Sequence, residues 1–113
     1  MKKDIIKILV KQPGRPLQLG AIPNELHAFQ DAVGGYIEAI PLRPDLVMIV
    51  NEEGKLQGLP YNFRINLNGY EDVIVGPCLI VGAKGEEFAD CPLSQKDLQD
   101  YFDGLEEEYG YGK

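Results

Sequence analysis

The chain has no threonine and one serine, Ser94. It has one histidine, His27, and two cysteines, Cys78 and Cys91. Each scarcity removes a class of chemistry. A hydroxyl nucleophile would have to be Ser94, which stands better as a helix cap, so hydrolase chemistry of the triad type is disfavoured. A zinc site built on imidazoles needs two or three of them, and one histidine excludes it. A Cys–His pair would have to join Cys78, inside an apolar run, to His27, on the flank of a helix stripe. The reading of His27 is a solvated surface residue and that of Cys78 a small buried hydrophobe. No secretory signal opens the chain, because the apolar run behind Lys2-Lys3 is short and broken by Lys7. A cytoplasmic protein with free thiols is the expectation. The longest apolar run, 73–83, contains Pro77 and is too short to cross a bilayer.

Basic charge is also short. Eighteen acids against eleven bases give a net charge of −7. A protein that binds nucleic acid by neutralising phosphates needs a basic face, and an anionic membrane surface asks the same. Direct nucleic-acid binding and membrane binding are therefore not expected. An acidic surface serves solubility first; the alternative is a surface that mimics nucleic acid or attracts a basic partner, and a mimic would need Glu86, Glu87, Asp90 and Glu106-Glu107-Glu108 on one face.

What is present is an ordinary globular composition, 44% hydrophobic and 26% charged, over 113 residues. That is one domain by size. Its extent is read as residues 1–105, with 106–113 a frayed acidic tail. Residues 5–11 alternate as a strand, with Ile6, Ile8 and Val10 on the core side and Lys7 and Lys11 outward; Pro13-Gly14-Arg15-Pro16 ends it. Asn24 is the expected N-cap of a helix over 25–33, with Leu26, Phe29 and Val33 as its apolar stripe. Gly34 and Gly35 stop it, one of them in the left-handed conformation. A strand over 36–42 places Tyr36, Glu38, Ile40 and Leu42 on one face, Ile37 and Ala39 on the other. Residues 46–50 form a near-continuous apolar strand, covered on both faces.

Asn51-Glu52-Glu53-Gly54 fits a hairpin loop, with a type I turn closed by a Gly54 bulge and a returning strand at 55–57. Residues 63–67 alternate Phe63, Ile65 and Leu67 against Arg64 and Asn66, and Asn68-Gly69 signals a two-residue hairpin. The returning strand would run through 73–81, at an edge or bulged at Pro77. An edge left open there would make a homodimer possible. Residues 82–87 read as a loop; the spacing of a phosphate-binding loop is missing. Ser94 and Asp97 have the spacing of a capping box, Leu93 and Leu98 take the staple positions, and Leu98, Tyr101, Phe102 and Leu105 form the stripe of a last helix. The fold class is α+β: an antiparallel or mixed sheet of about five strands, one helix after the first strand and one at the C-terminus.

Polar and glycine residues gather in turns at one edge. Gly34, Gly35, Tyr36, Glu38, Asn51, Glu52, Asn62 and Arg64 are the candidate ligand- or partner-binding residues. Glu38, Glu52 and Glu53 could converge there; calcium-loop spacing is absent, and no catalytic residue, metal ligand or cofactor is assigned. A small enzyme using Glu38 or Glu52 as base on a nucleotide-like ligand is the alternative, and it requires a concave pocket.

Four blocks carry a resemblance: Gln30-x-x-Val33-Gly34-Gly35-Tyr36-Ile37-Glu38, Asn51-Glu52-Glu53-Gly54-Lys55-Leu56, Gly58-Leu59-Pro60-x-Asn62 and Asp72-Val73-Ile74-Val75-Gly76. Over about residues 5–101 the chain resembles a domain-of-unknown-function family carried by phages, plasmids and integrative elements, mainly of Gram-positive bacteria. That family often has Asn-Arg after the Leu-Pro block; here Phe63 follows Asn62 and Arg64 comes one place later. The resemblance implies a mobile-element accessory protein without an assigned reaction. Such proteins often antagonise host defence by binding a host protein or sequestering a signalling nucleotide, so the implied partner is a host protein or small-molecule ligand.

Overall fold

The structure is a computed structural model that describes the backbone of residues 4–67 and 69–109, with side chains described through residue 103. Ten elements follow one another: β1 (Ile5–Lys11), β2 (Gln18–Pro23), α1 (Leu26–Val33), β3 (Ile37–Arg43), β4 (Leu46–Asn51), β5 (Tyr61–Leu67), β6 (Tyr70–Val75), β7 (Cys78–Lys84), β8 (Glu87–Ala89) and α2 (Gln95–Tyr109). Every pairing is antiparallel. The larger sheet runs β2-β1-β7-β4-β3, with β8 also on β7, and β5-β6 form a separate two-stranded sheet. The α+β class holds, with one helix in the first half of the chain and one at its C-terminal end.

The larger sheet is covered on both faces because its central strands are apolar at every position. All six residues of β4 are buried. Leu46, Met48 and Val50 join Leu9, Cys78 and Ile80 in one core, closed by Phe63, Ile65 and Ile74 of the small sheet and Leu98 of α2. Val47 and Ile49 join Ile6, Ile8, Leu79 and Val81 in the other, closed by Phe29 and Val33 of α1. Each such side chain, fully buried, stabilises by about 1.5–3 kcal/mol. Phe29 also meets Phe88 edge-on, with centroids 5.3 Å apart, and Phe63 tilts against Phe102 at 5.2 Å.

Several expectations are corrected. A strand, β2, lies between β1 and α1. Proline flanks it, Gly20 interrupts it, and of its residues Ile22 alone is buried, so it carries almost no alternation. Asn24 does not cap α1. The capping position is Glu25, without a side-chain bond to the helix, and Asn24 is buried with its Nδ2 donating to the Phe88 carbonyl at 3.0 Å. Leu26 leaves the stripe and is exposed. Lys7 of β1 is exposed, but Leu9 on the same face is buried in the core that the small sheet closes, and Lys11 is half-buried against Asn62.

Pro77 is neither at a sheet edge nor in a bulge. Gly76 (φ 71°) and Pro77 carry the chain from one sheet to the other, and β7 lies centrally, between β1 and β4; the open edges of the larger sheet are β2 and β3. Residues 82–87 are not a loop but the end of a hairpin: β7 runs through Lys84, Gly85-Glu86 turn, and β8 returns with Gly82 paired to Ala89 and Lys84 to Glu87. A Cβ at Gly82 would sit 2.1 Å from the Asp90 carbonyl oxygen, so glycine there reports a close backbone approach. The hairpin at Asn68 joins β5 to β6 with Leu67 facing Tyr70, and Asn68 itself lies outside the described residues.

Other expectations hold. Gly34 is left-handed (φ 79°), and its amide bonds back to the Gln30 carbonyl at 2.8 Å. Ser94 Oγ accepts from the Asp97 amide at 3.1 Å, and Leu98 is buried beneath it. Tyr101 and Phe102 pack on the same core; the side chains of Leu105 and of Glu106-Glu107-Glu108 lie outside the described residues. α2 runs through Tyr109, into the segment read as a tail. Among the described residues no helix is long and apolar enough to cross a membrane.

Candidate functional site

The edge of the larger sheet at β3 meets the small sheet at β6, and the turn after β4 lies between them. Residues 52–58 do not return as a strand. They coil through successive turns, with the Gln57 amide on the Glu53 carbonyl at 2.9 Å and the Leu59 amide on the Gly54 carbonyl at 3.0 Å. Gly54 and Lys55, at the start of the expected return, are instead drawn towards β6, where they meet Val75 and Asp72. Gly54 is buried there, and a Cβ on it would lie 3.0 Å from Val75 Cγ2. Its φ is not positive, so this glycine serves close packing and not a bulge.

Asn51 organises the turn. It is buried, and its Oδ1 accepts from the Glu53 amide at 2.8 Å, an Asx turn that starts the coil. Its Nδ2 donates to the Val33 carbonyl at 3.1 Å and to Gln57 Oε1 at 3.3 Å. Val33 ends α1, so the amide satisfies one of the carbonyls a helix leaves free at its C-terminus. The Glu52 amide donates to the Tyr36 carbonyl at 2.8 Å. The turn is thus tied to α1, to the start of β3 and to β6.

Two concavities flank it. The first is a groove of about 220 Å³ lined by Glu38, Ile40, Val50, Glu52, Lys55, Leu56, Asp72 and Val73 among others. Lys55 Nζ donates to Asp72 Oδ1 at 2.6 Å. The Asp72 carboxylate holds the Lys55 ammonium above its ordinary range, against a smaller opposing effect of burial, and Glu38 and Tyr70 add to it. Leu56 stands at the lip, 86% exposed. The second is a hollow of about 400 Å³ lined by Gln30, Asp31, Gly34, Gly35, Tyr36, Glu53 and Gln57. Tyr36 is 66% exposed.

The expected site residues divide among these places. Glu38, Asn51 and Glu52 line the groove; Gly34, Gly35 and Tyr36 line the hollow. Asn62 and Arg64 line neither. Asn62 is buried, with Nδ2 donating to the carbonyls of Lys11 and Gly76, both at 2.8 Å, and Oδ1 accepting from Lys11 Nζ at 3.0 Å. It fastens β5 to β1 and to the crossing at Gly76. Arg64 is exposed on β5 and pairs with Glu71 at 3.2 Å. Lys55, Leu56, Asp72, Gln30 and Gln57 were not among the expected residues. Asp72 and Lys55 do fall inside the blocks that carry the family resemblance, but their pairing depends on the turn meeting β6.

The nucleophile candidates are committed elsewhere. Cys78 is fully buried, and burial pushes its thiol up to about 12. Cys91 is buried and its thiol also raised by burial. His27 is exposed on α1 with Asp31 at 3.6 Å, and Ser94 caps α2. Among the described residues no three His, Cys, Asp or Glu side chains are grouped to hold a metal ion.

Comparison with curated proteins and with solved structures gives no match. A family model does match, over residues 6–106, nearly the whole chain. With the blocks that line the groove and the hollow falling inside that span, the chain belongs to the family described as a domain of unknown function, DUF3846.

Proposed function

We propose that the protein is a non-catalytic binding protein of a phage or other mobile element, acting in the cytoplasm of the host cell on a host protein, in a role directed against host defence. The observation that carries the reading is the groove between β3 and β6, with Glu38, Glu52 and the Lys55–Asp72 pair along it and Leu56 exposed at its lip. An exposed apolar side chain ringed by charged groups has the layout of a contact surface, an apolar centre with a polar rim. The mobile-element setting comes from the family resemblance and not from the geometry.

The binding reading is favoured over a catalytic one by the disposition of the reactive groups. The thiols, the hydroxyl and the imidazole lie outside the groove, and its carboxylates stand beside an ammonium already paired with one of them. Acidic lining also disfavours a nucleotide, whose phosphates would meet Glu38, Glu52 and Asp72.

The test is capture from host lysate by tagged protein, with the bound fraction analysed for proteins and for released small molecules. The reading expects a stoichiometric protein, lost with Glu38→Ala. Capture unchanged by that substitution, or a released nucleotide with no protein, would overturn it.

A further inference from the structure

The groove and the hollow share an unusual balance of charge. Among the described residues the groove has three carboxylates, Glu38, Glu52 and Asp72, against the ammonium of Lys55. Among the described residues the hollow is lined by two, Asp31 and Glu53, and by no lysine or arginine, with His27 beside Asp31 at 3.6 Å. It also receives the C-terminal end of α1, whose last turn carries no basic residue; the Val33 and Gln30 carbonyls there are already bonded, and the end keeps the negative pole of the helix dipole. Tyr36 presents an exposed ring at the same place, and the face of an aromatic ring attracts a cation. Carboxylates, helix end and ring are three independent features that favour one kind of occupant, a cationic group, in a hollow wide enough for a guanidinium or ammonium.

The spacing of the two concavities adds a second constraint. Adjacent residues Glu52 and Glu53 line one each, and so do Glu38 in β3 and Tyr36, the residue just before β3. Residues two apart along extended chain are separated by roughly 6.6 Å. An extended peptide presents its side chains i and i+2 on one face at that same separation.

We propose that the partner docks through an extended basic segment whose cationic side chains at i and i+2 enter the hollow and the groove on either side of the 51–57 turn. The first cation sits between the Tyr36 ring, Asp31 and Glu53. The second lies along Glu38 and Glu52, with its stem on Leu56. Gln30 and Gln57 complete the lining around the first group. This inference rests on the binding reading above and specifies the chemistry of the partner. The protein's net charge of −7 speeds encounter with such a segment, while the spacing supplies selectivity.

The experiment uses the full chain and two labelled twelve-residue peptides of identical composition and charge, one with Arg-Ala-Arg in an otherwise neutral sequence and one with the arginines four residues apart. Binding is read by fluorescence anisotropy at 50 mM and 150 mM salt. The expected result is tighter binding of the closely spaced peptide at both salts. Tyr36→Leu should weaken it about 2- to 5-fold while Tyr36→Phe retains it, and Glu52→Gln with Glu53→Gln should weaken it about 5-fold. Glu86→Gln with Glu87→Gln, the same change of charge on the β7–β8 hairpin, should have little effect at 150 mM, where screening acts over about 8 Å. Equal binding of the two peptides, or equal loss from the two pairs of substitutions, would overturn the proposal as general charge attraction. Lack of peptide binding while lysate capture persists and survives the Glu52 and Glu53 substitutions would overturn the basic segment alone; lack of both would overturn the binding reading with it.

Discussion

The Asn51 side-chain amide donates to the Val33 carbonyl at 3.1 Å, so the last residue of β4 closes the end of α1 from across the sheet. The same side chain nucleates the turn through the Glu53 amide. One buried residue therefore positions both concavities, the hollow at the helix end and the groove beyond the turn. Gly35 belongs to this arrangement, since a Cβ there would lie 2.9 Å from Asn51 Nδ2.

Asn51→Ala should therefore be a stability variant before it is a binding variant. It strands the Val33 carbonyl and the Glu53 amide, and a buried polar group without a partner costs about 1–3 kcal/mol. Urea denaturation should show an unfolding free energy lowered by about that amount. A midpoint equal to the wild type would mean that the turn holds without the latch.

Asn62→Ala makes a parallel case on the other side of the small sheet. Three hydrogen bonds end on that side chain, and their loss should cost roughly 2 kcal/mol or more. Once corrected for the folded fraction, partner capture should be unchanged, because Asn62 lines neither concavity. A specific loss of capture at full folding would bring Asn62 back into the site.

Two glycines should respond differently to alanine. At Gly34 nothing lies within 4 Å of an added Cβ and φ is 79°, so the cost is that of the left-handed backbone, about 1–2 kcal/mol. At Gly82 the added Cβ meets the Asp90 carbonyl oxygen at 2.1 Å, and β8 must move. Thermal melts should rank Gly82→Ala well below Gly34→Ala; the reverse order would show that β8 contributes little.

Cys78 supplies the pH prediction. Burial pushes its thiol up to about 12, above the roughly 8.5 of a free cysteine, so the neutral thiol is the form the fold favours. The associated stability is fully present below the unfolded value and declines as pH rises from there towards the folded one. Native protein at pH 8 should leave Cys78 unmodified by a thiol reagent, urea should expose it, and stability should fall above about pH 9 less steeply in Cys78→Ala. Rapid labelling of Cys78 in native protein would contradict the core as described.

Much of this architecture was legible in the sequence because β4, β5 and both helices have clear periods and clear stops. Glu38, Ile40 and Leu42 on one face and Ile37 on the other follow from alternation alone. What was not legible depended on contacts between distant segments. β2 has one buried residue and a glycine. Gly82 and Gly54 resemble loop glycines until the backbone that approaches them is known. Asn24, Asn51 and Asn62 resemble a cap, a turn and a surface residue, yet all three are buried, each bonded to a backbone carbonyl far along the chain. The groove itself needed the Lys55–Asp72 pair, which local pattern cannot supply.

The most direct test of the binding surface is backbone amide exchange of the protein alone and with the captured partner bound. The account predicts slowed exchange confined to residues 34–40, 51–58 and 70–75, around the groove and the hollow. Protection on β2 or the β7–β8 hairpin with those segments unchanged would contradict it.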